Sequence, residues 1–220
     1  MNILITGGMD WDEYAGIEAA RLLRVRYRSH KNITVFPLDY VPTDGKLPKT
    51  VFPGNTNGTE TERKMHILYE TYVKKTDIWI DLHGGATNEI LTPFMWLYQS
   101  KHADIRSMHQ RIIDSTSAPI VIYDRQPFMR YSSFLDSHHI AHILLECGDQ
   151  GDLRKTDVTM LMRWVDEIIF PTQKHYGKPA VYTSVQYVFD VSKHINAQLL
   201  WKRTDTDIKR GEVAAAYAQP

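Results

Sequence analysis

The 220-residue sequence has a single cysteine, Cys147. That excludes an intramolecular disulfide framework and fits a reducing compartment, so the cytoplasm is the expected location. An excess of either charge is also missing, since Lys plus Arg and Asp plus Glu both number 26. A balanced chain has no global field to draw nucleic acid or an anionic membrane, and no local basic patch stands out. No apolar run approaches the roughly 20 residues that cross a bilayer, and the opening MNILITGG is broken too early by glycines to read as a signal peptide. Repeats, low-complexity tracts and flexible linkers are absent too. What remains is an ordinary globular composition, 43% hydrophobic and 24% charged, able to bury one substantial core.

The apolar pattern alternates between strand and helix. Residues 2–6 form a short apolar run stopped by Gly7-Gly8, followed by a helical pattern from Glu13 to about Arg28. Asn32 to Leu38 reads as a second strand, and the proline- and glycine-rich stretch from Asp39 to Gly58 as a mostly irregular loop. Met65, Leu68, Tyr69 and Tyr72 mark a helix within 59–75 that runs into a buried strand, Asp77 to His83. Further strands are expected at Phe94 to Tyr98, Ile120 to Tyr123 and His142 to Glu146, with helices at Ala103 to Ile113 and Thr156 to Phe170. The expected fold is an α/β/α three-layer sandwich on a largely parallel or mixed central sheet. After about residue 175 the pattern turns β-rich, with strands at Ala180 to Val191 and Ala197 to Trp201. This divides the chain into an α/β domain, 1–175, and a β-rich segment, 176–220.

Three strand ends carry acids or a histidine beside glycine: Gly7-Gly8-Met9-Asp10-Trp11-Asp12-Glu13, Asp81-Leu82-His83-Gly84-Gly85 and Glu146-Cys147-Gly148. In open α/β sheets ligands bind beyond the carboxyl ends of strands, where such loops converge. Asp10, Glu13 and His83 supply two carboxylates and an imidazole, three ligands of a zinc-like divalent site with a fourth position left for water. Glu146 then stands as general base toward that water. Asp81, two residues before His83 on a strand, projects to the same face and orients the imidazole from behind.

Plainer readings compete. Asp10 and Glu13, three apart at a helix start, also match a capping box. His138, His139 and His142 have suggestive spacing without an acidic partner pattern and read as surface or structural residues. Cys147 reads as a small buried residue. Ile3-Leu4-Ile5-Thr6-Gly7-Gly8 resembles the first turn of a dinucleotide-binding fold, but the third glycine is missing and Asp10, Asp12 and Glu13 would face the pyrophosphate.

The run from Gly7 to Ala20 resembles the opening motif of the succinylglutamate desuccinylase/aspartoacylase family, in the zinc carboxypeptidase superfamily. Phe52-Pro53-Gly54, Gly58 to Arg63, Asp81-Leu82-His83 and Glu146-Cys147-Gly148 follow in that family's order. The resemblance implies Glu13 and His83 as metal ligands, Glu146 as catalytic base, one zinc ion, and hydrolysis of an N-acyl amino acid or related small amide. The departures are specific. Asp10 stands at the family's first histidine ligand and Trp11 at its glycine, and a carboxylate there raises the claim of a harder cation such as manganese. Lys49-Thr50 replaces the Asn-Arg pair that grips a substrate carboxylate, with Lys49, Arg63, Arg125 and Arg130 as candidates to compensate. The β-rich segment resembles only the start of the family's carboxyl-terminal domain, so a residue it contributes to the substrate is missing or comes from a second copy in a homo-oligomer. The rival reading is a catalytically weakened relative that serves as a ligand-binding or regulatory subunit.

Overall fold

The computed structural model describes residues 1–87, 91–124, 130–171, 179–182, 198–201 and 215–218. Seven strands form one sheet: β1 (Ile3–Gly7), β2 (Ile33–Pro37), β3 (Ile78–His83), β4 (Phe94–Tyr98), β5 (Ile120–Asp124), β6 (Ala141–Glu146) and β7 (Ala180–Tyr182). The helices are α1 (Tyr14–Arg26), α2 (Pro48–Val51), α3 (Glu60–Thr71), α4 (Ala103–Ser115), α5 (Arg130–Ser137) and α6 (Lys155–Ile169). The strand order is β2-β1-β3-β6-β4-β5-β7. β2, β1, β3 and β6 run parallel, β4 pairs antiparallel with β6, and β5 and β7 follow β4. The sheet is therefore mixed, and the carboxyl ends of β1, β3 and β6 lie along one edge. A separate hairpin pairs β8 (Gln198–Trp201) with β9 (Ala215–Ala218). Of the strand expected at Ala180 to Val191, only 180–182 falls among the described residues, and there it joins the main sheet.

Side-chain alternation sorts the strands into two layers of core. Ile3, Ile5, Ile78, Ile80, Leu82, Ile143 and Leu145 pack with α1, α4 and α6. Leu4, Trp79 and Leu144 point the other way, against Met65 and Leu68 of α3 and Tyr131 and Leu135 of α5. On that second face Thr6 follows Leu4, and Asp81 and His83 follow Trp79, so polar groups replace apolar ones only as the strands approach their carboxyl ends.

Helix starts show where capping chemistry was spent. At α3, Thr59 and Glu62 form a reciprocal capping box, the Thr59 N–H donating to Glu62 Oε2 at 2.7 Å. At α1 the competing capping-box reading of Asp10 and Glu13 does not hold. Glu13 is the N-cap residue, and no side chain caps the helix, because the Glu13 carboxylate is turned toward β3. Backbone contact makes this possible. A Cβ on Gly16 would lie 2.3 Å from the Leu82 carbonyl oxygen, so only glycine lets the first turn of α1 rest directly on β3. Among the described residues no helix is long and apolar enough to cross a membrane.

Candidate metal centre

Parallel pairing places the site. Thr6 is opposite Asp81 across β1 and β3, and His83 is opposite Glu146 across β3 and β6. The loop after β1 then brings Asp10 and Glu13 over the end of β3. All of these acids are buried, with Asp10 4% exposed, Glu13 3%, Asp81 0% and Glu146 3%, and His83 is 1% exposed. Carboxylates are rarely so enclosed unless paired or coordinating a cation.

Their geometry converges on one imidazole nitrogen. His83 Nδ1 lies 2.7 Å from Glu13 Oε2, 3.4 Å from Asp10 Oδ2 and 4.0 Å from Glu146 Oε2. Although close, none of these oxygens is aligned with Nδ1 for a hydrogen bond, and this buried atom has no such partner. On its other side His83 Nε2 meets Asp81 Oδ2 at 3.1 Å. Asp81 also accepts from Tyr131 Oη at 2.6 Å and Thr6 Oγ1 at 2.8 Å, and Trp79 Nε1 donates to Thr6 at 2.7 Å. An ionised carboxylate can only accept, so Nε2 carries a proton, and Nδ1 faces the other carboxylates with a lone pair that a metal would engage or, without metal, with a second proton. A lone pair facing carboxylate oxygens is repulsive without a cation or proton between them.

Ligand atoms of Asp10, Glu13 and His83 all lie within 4.8 Å of one another, as a single divalent ion requires. Neighbouring ligand atoms around tetrahedral zinc are about 3.3 Å apart. The Asp10 oxygen, 3.4 Å from Nδ1, already meets this, and the Glu13 oxygen, at 2.7 Å, would have to retreat by about 0.6 Å. The residues therefore fit a metal.

The acids are also anchored by glycine amides. Gly84 N–H donates to Glu13 Oε2 and Gly85 N–H to Glu146 Oε1, both at 3.0 Å. Gly85 has φ of 67°, a left-handed conformation that glycine adopts without strain. At the mouth, Lys49 Nζ lies 2.6 Å from Asp10 Oδ2.

Protonation follows the charges. Burial disfavours an imidazolium at His83, but the charges of Glu13 and Asp81 outweigh it and hold the ring well above the usual histidine range. Burial likewise disfavours ionised Asp10 and Asp81. The neighbouring His83 prevails at both, with Lys49 helping at Asp10, and each stays below its ordinary value.

The structure thus brings together Asp10, Glu13, His83, Asp81, Glu146 and Lys49. Arg63, on α3, is turned onto the Gly58 carbonyl at 2.6 Å. Arg130 opens α5 with its side chain outside the described set, and Arg125 lies outside the described residues altogether. Thr6, Trp79 and Tyr131 were not anticipated. No local motif announces them, and only sheet register and the placement of α5 bring them to Asp81. His142 is buried on β6 with Nδ1 3.1 Å from Ser132 Oγ, and His139 pairs with Asp104 on the surface, which separates two of the three clustered histidines.

Fold and site together define an α/β sandwich with a buried carboxylate-imidazole cluster at the carboxyl edge of its parallel strands. Among known proteins this is the fold of the succinylglutamate desuccinylase/aspartoacylase family. The crystal structure of a succinylglutamate desuccinylase/aspartoacylase from Rhodobacter sphaeroides matches with a TM-score of 0.67 at 21% identity, over 81% of this chain and 57% of that one. A succinylglutamate desuccinylase from a Silicibacter species matches with a TM-score of 0.70 at 16% identity, over 100% of this chain and 73% of that one. In sequence, an N-alpha-acetyl-L-2,4-diaminobutyric acid deacetylase from Halomonas elongata is 23% identical over 192 residues, 79% of this chain and 54% of the relative. The chain thus spans about half the length of that curated relative. No protein-family model matches the chain.

Proposed function

We propose that the chain carries the metal-dependent hydrolytic site of an amidohydrolase acting on an N-acyl amino acid or a related small amide. The observation that carries this reading is His83 Nδ1, buried, without an aligned hydrogen-bond partner and ringed by the oxygens of Glu13, Asp10 and Glu146. Asp10, Glu13 and His83 would hold one divalent ion, which we take to be zinc. When bound, it supplies Lewis acidity toward water and the scissile carbonyl. The names of the relatives, a deacetylase and desuccinylases, support cleavage of an acyl group from an amino acid.

The chain's own groups do the rest. Glu146 is fixed at Oε1 by Gly85 N–H and directs Oε2 toward the Nδ1 side of His83. From there it accepts a proton as water adds to the carbonyl carbon, and returns it to the amine nitrogen as the C–N bond breaks. Asp81 holds the His83 ring in one tautomer and orientation. The enclosure of the acids excludes bulk water and strengthens each of these interactions.

Elemental analysis of protein purified without chelator is expected to find about one metal per chain. A panel of N-acyl amino acids then identifies the substrate, and Glu146→Gln is expected to keep the metal while losing about 10² to 10⁴ in kcat. Absence of metal, or undiminished turnover in that variant, overturns the proposal. A ligand that raises the melting temperature without being hydrolysed supports the binding-subunit reading instead.

A further inference from the structure

Asp10 Oδ2 is shared. It is the Asp10 oxygen 3.4 Å from His83 Nδ1, and it also receives Lys49 Nζ at 2.6 Å. The pairing is built into the backbone, because Lys49 N–H donates to the carbonyl of Met9, the residue before Asp10, at 3.3 Å. Met9 itself is fully buried, so the main chain at both residues is fixed. The lysine side chain, by contrast, is 30% exposed while that of Asp10 is 5% exposed. Its four-carbon stem reaches from the surface into the pocket and has room to leave it.

We propose that Lys49 is the resident counter-cation of this site, neutralising Asp10 when no metal is bound and contesting the same carboxylate oxygen when metal arrives. The inference rests on the metal reading above and adds to it a cost of loading. One carboxylate oxygen cannot keep an ammonium at hydrogen-bonding distance and also ligate a divalent ion without placing two cations side by side. Metal binding therefore expels the Lys49 ammonium toward solvent. The affinity of the site is set by this exchange as well as by its three ligands. Lysine suits the role better than arginine would, being a point charge on a flexible stem and not a bidentate clamp.

The test is a calorimetric zinc titration of chelator-stripped protein in three forms, parental, Lys49→Met and Lys49→Arg, with Lys49→Gln as the alternate neutral variant should the methionine protein not fold. The neutral variant is expected to bind zinc on the order of ten- to a hundredfold more tightly than the parent, and Lys49→Arg to bind it no more tightly than the parent. Stripped Lys49→Met is also expected to melt below the stripped parent, since Asp10 loses its counter-charge, and the order is expected to reverse at a limiting zinc concentration that saturates only the variant. Equal or weaker zinc binding by Lys49→Met overturns this inference while leaving the metal site standing. Zinc binding by neither protein overturns the metal reading and this inference with it.

Discussion

His83 and Glu146 face each other in register across β3 and β6, and His83 Nδ1 lies 4.0 Å from Glu146 Oε2. Their spacing is set by the interstrand repeat of about 4.8 Å. A proposed ligand and a proposed base are thus held apart by the stiffest part of the molecule, while Asp10 and Glu13 come from a turn and a helix start. Rigid support for the chemical groups, with loops completing the pocket, is the arrangement that keeps a site in working geometry.

Tyr131 tests the support behind the imidazole. Its hydroxyl donates to Asp81 Oδ2 while its ring stacks on Trp79 with centroids 5.2 Å apart. Tyr131→Phe keeps the stacking and removes one donor from a buried carboxylate, with an expected loss of about 1–3 kcal/mol of stability in urea unfolding. Zinc affinity is expected to fall about tenfold, because Asp81 then holds the His83 ring less firmly. Unchanged values in both measurements would contradict the relay from Tyr131 through Asp81 to His83.

Gly16 tests the seating of α1. Gly16→Ala sets a methyl group against the Leu82 carbonyl oxygen, 2.3 Å from where the Cβ must go. The helix has to lift, with an expected cost of about 1–3 kcal/mol, and Glu13 lifts with it. Thermal unfolding and metal content, measured on the same preparation, are both expected to drop. Full metal content in a destabilised protein would uncouple the helix from the site.

His109 tests the pH response of the core, away from the pocket. It is fully buried on α4, neither ring nitrogen has a hydrogen-bond partner, and burial pushes it down to about 4. A histidine depressed by folding favours the native state above its unfolded value of about 6.5, and that contribution is lost as pH falls toward about 4. The slope it adds is at most about 1.4 kcal/mol per pH unit. His109→Leu removes the titration, so urea unfolding from pH 7 to 4 is expected to show the variant gaining on the parent as the solution is acidified. Parallel pH profiles would show that His109 does not titrate in this way.

The parts of the fold legible in the sequence were those written in short-range pattern. β4 is Phe94–Tyr98, as its apolar run indicated, and α6 is one residue from its expected bounds because Val158, Leu161, Val165 and Ile168 repeat at helical spacing. α5 was not anticipated. In Arg130–Ser137 the residues Tyr131, Phe134 and Leu135 do recur at helical spacing, but eight residues with three serines among them are too few to separate a helix from a loop. The capping box that Asp10 and Glu13 match locally gives way to tertiary structure, since the Glu13 carboxylate accepts from the Gly84 amide and caps no helix end. Asp81 and His83 share a face, as period-two alternation requires. What no local pattern contains is register. Thr6 meets Asp81 across 75 residues of chain, and Lys49 meets Asp10 across 39, contacts that exist only once the sheet and loop are assembled.

Register also protects the fold against its own alternatives. On β3 the residues Trp79, Asp81 and His83 face one helical layer, and Ile78, Ile80 and Leu82 the other. A slip of one residue between β3 and either neighbour would drive the aspartate and the imidazole into the aliphatic layer beneath α1 and α6, and offer leucine and isoleucine to the acids. Such an isomer would have ions in oil on one side and unanswered carboxylates on the other. The polar stripe of the candidate site is therefore also a proofreading device for strand assembly, and a chain stripped of it would be freer to misalign.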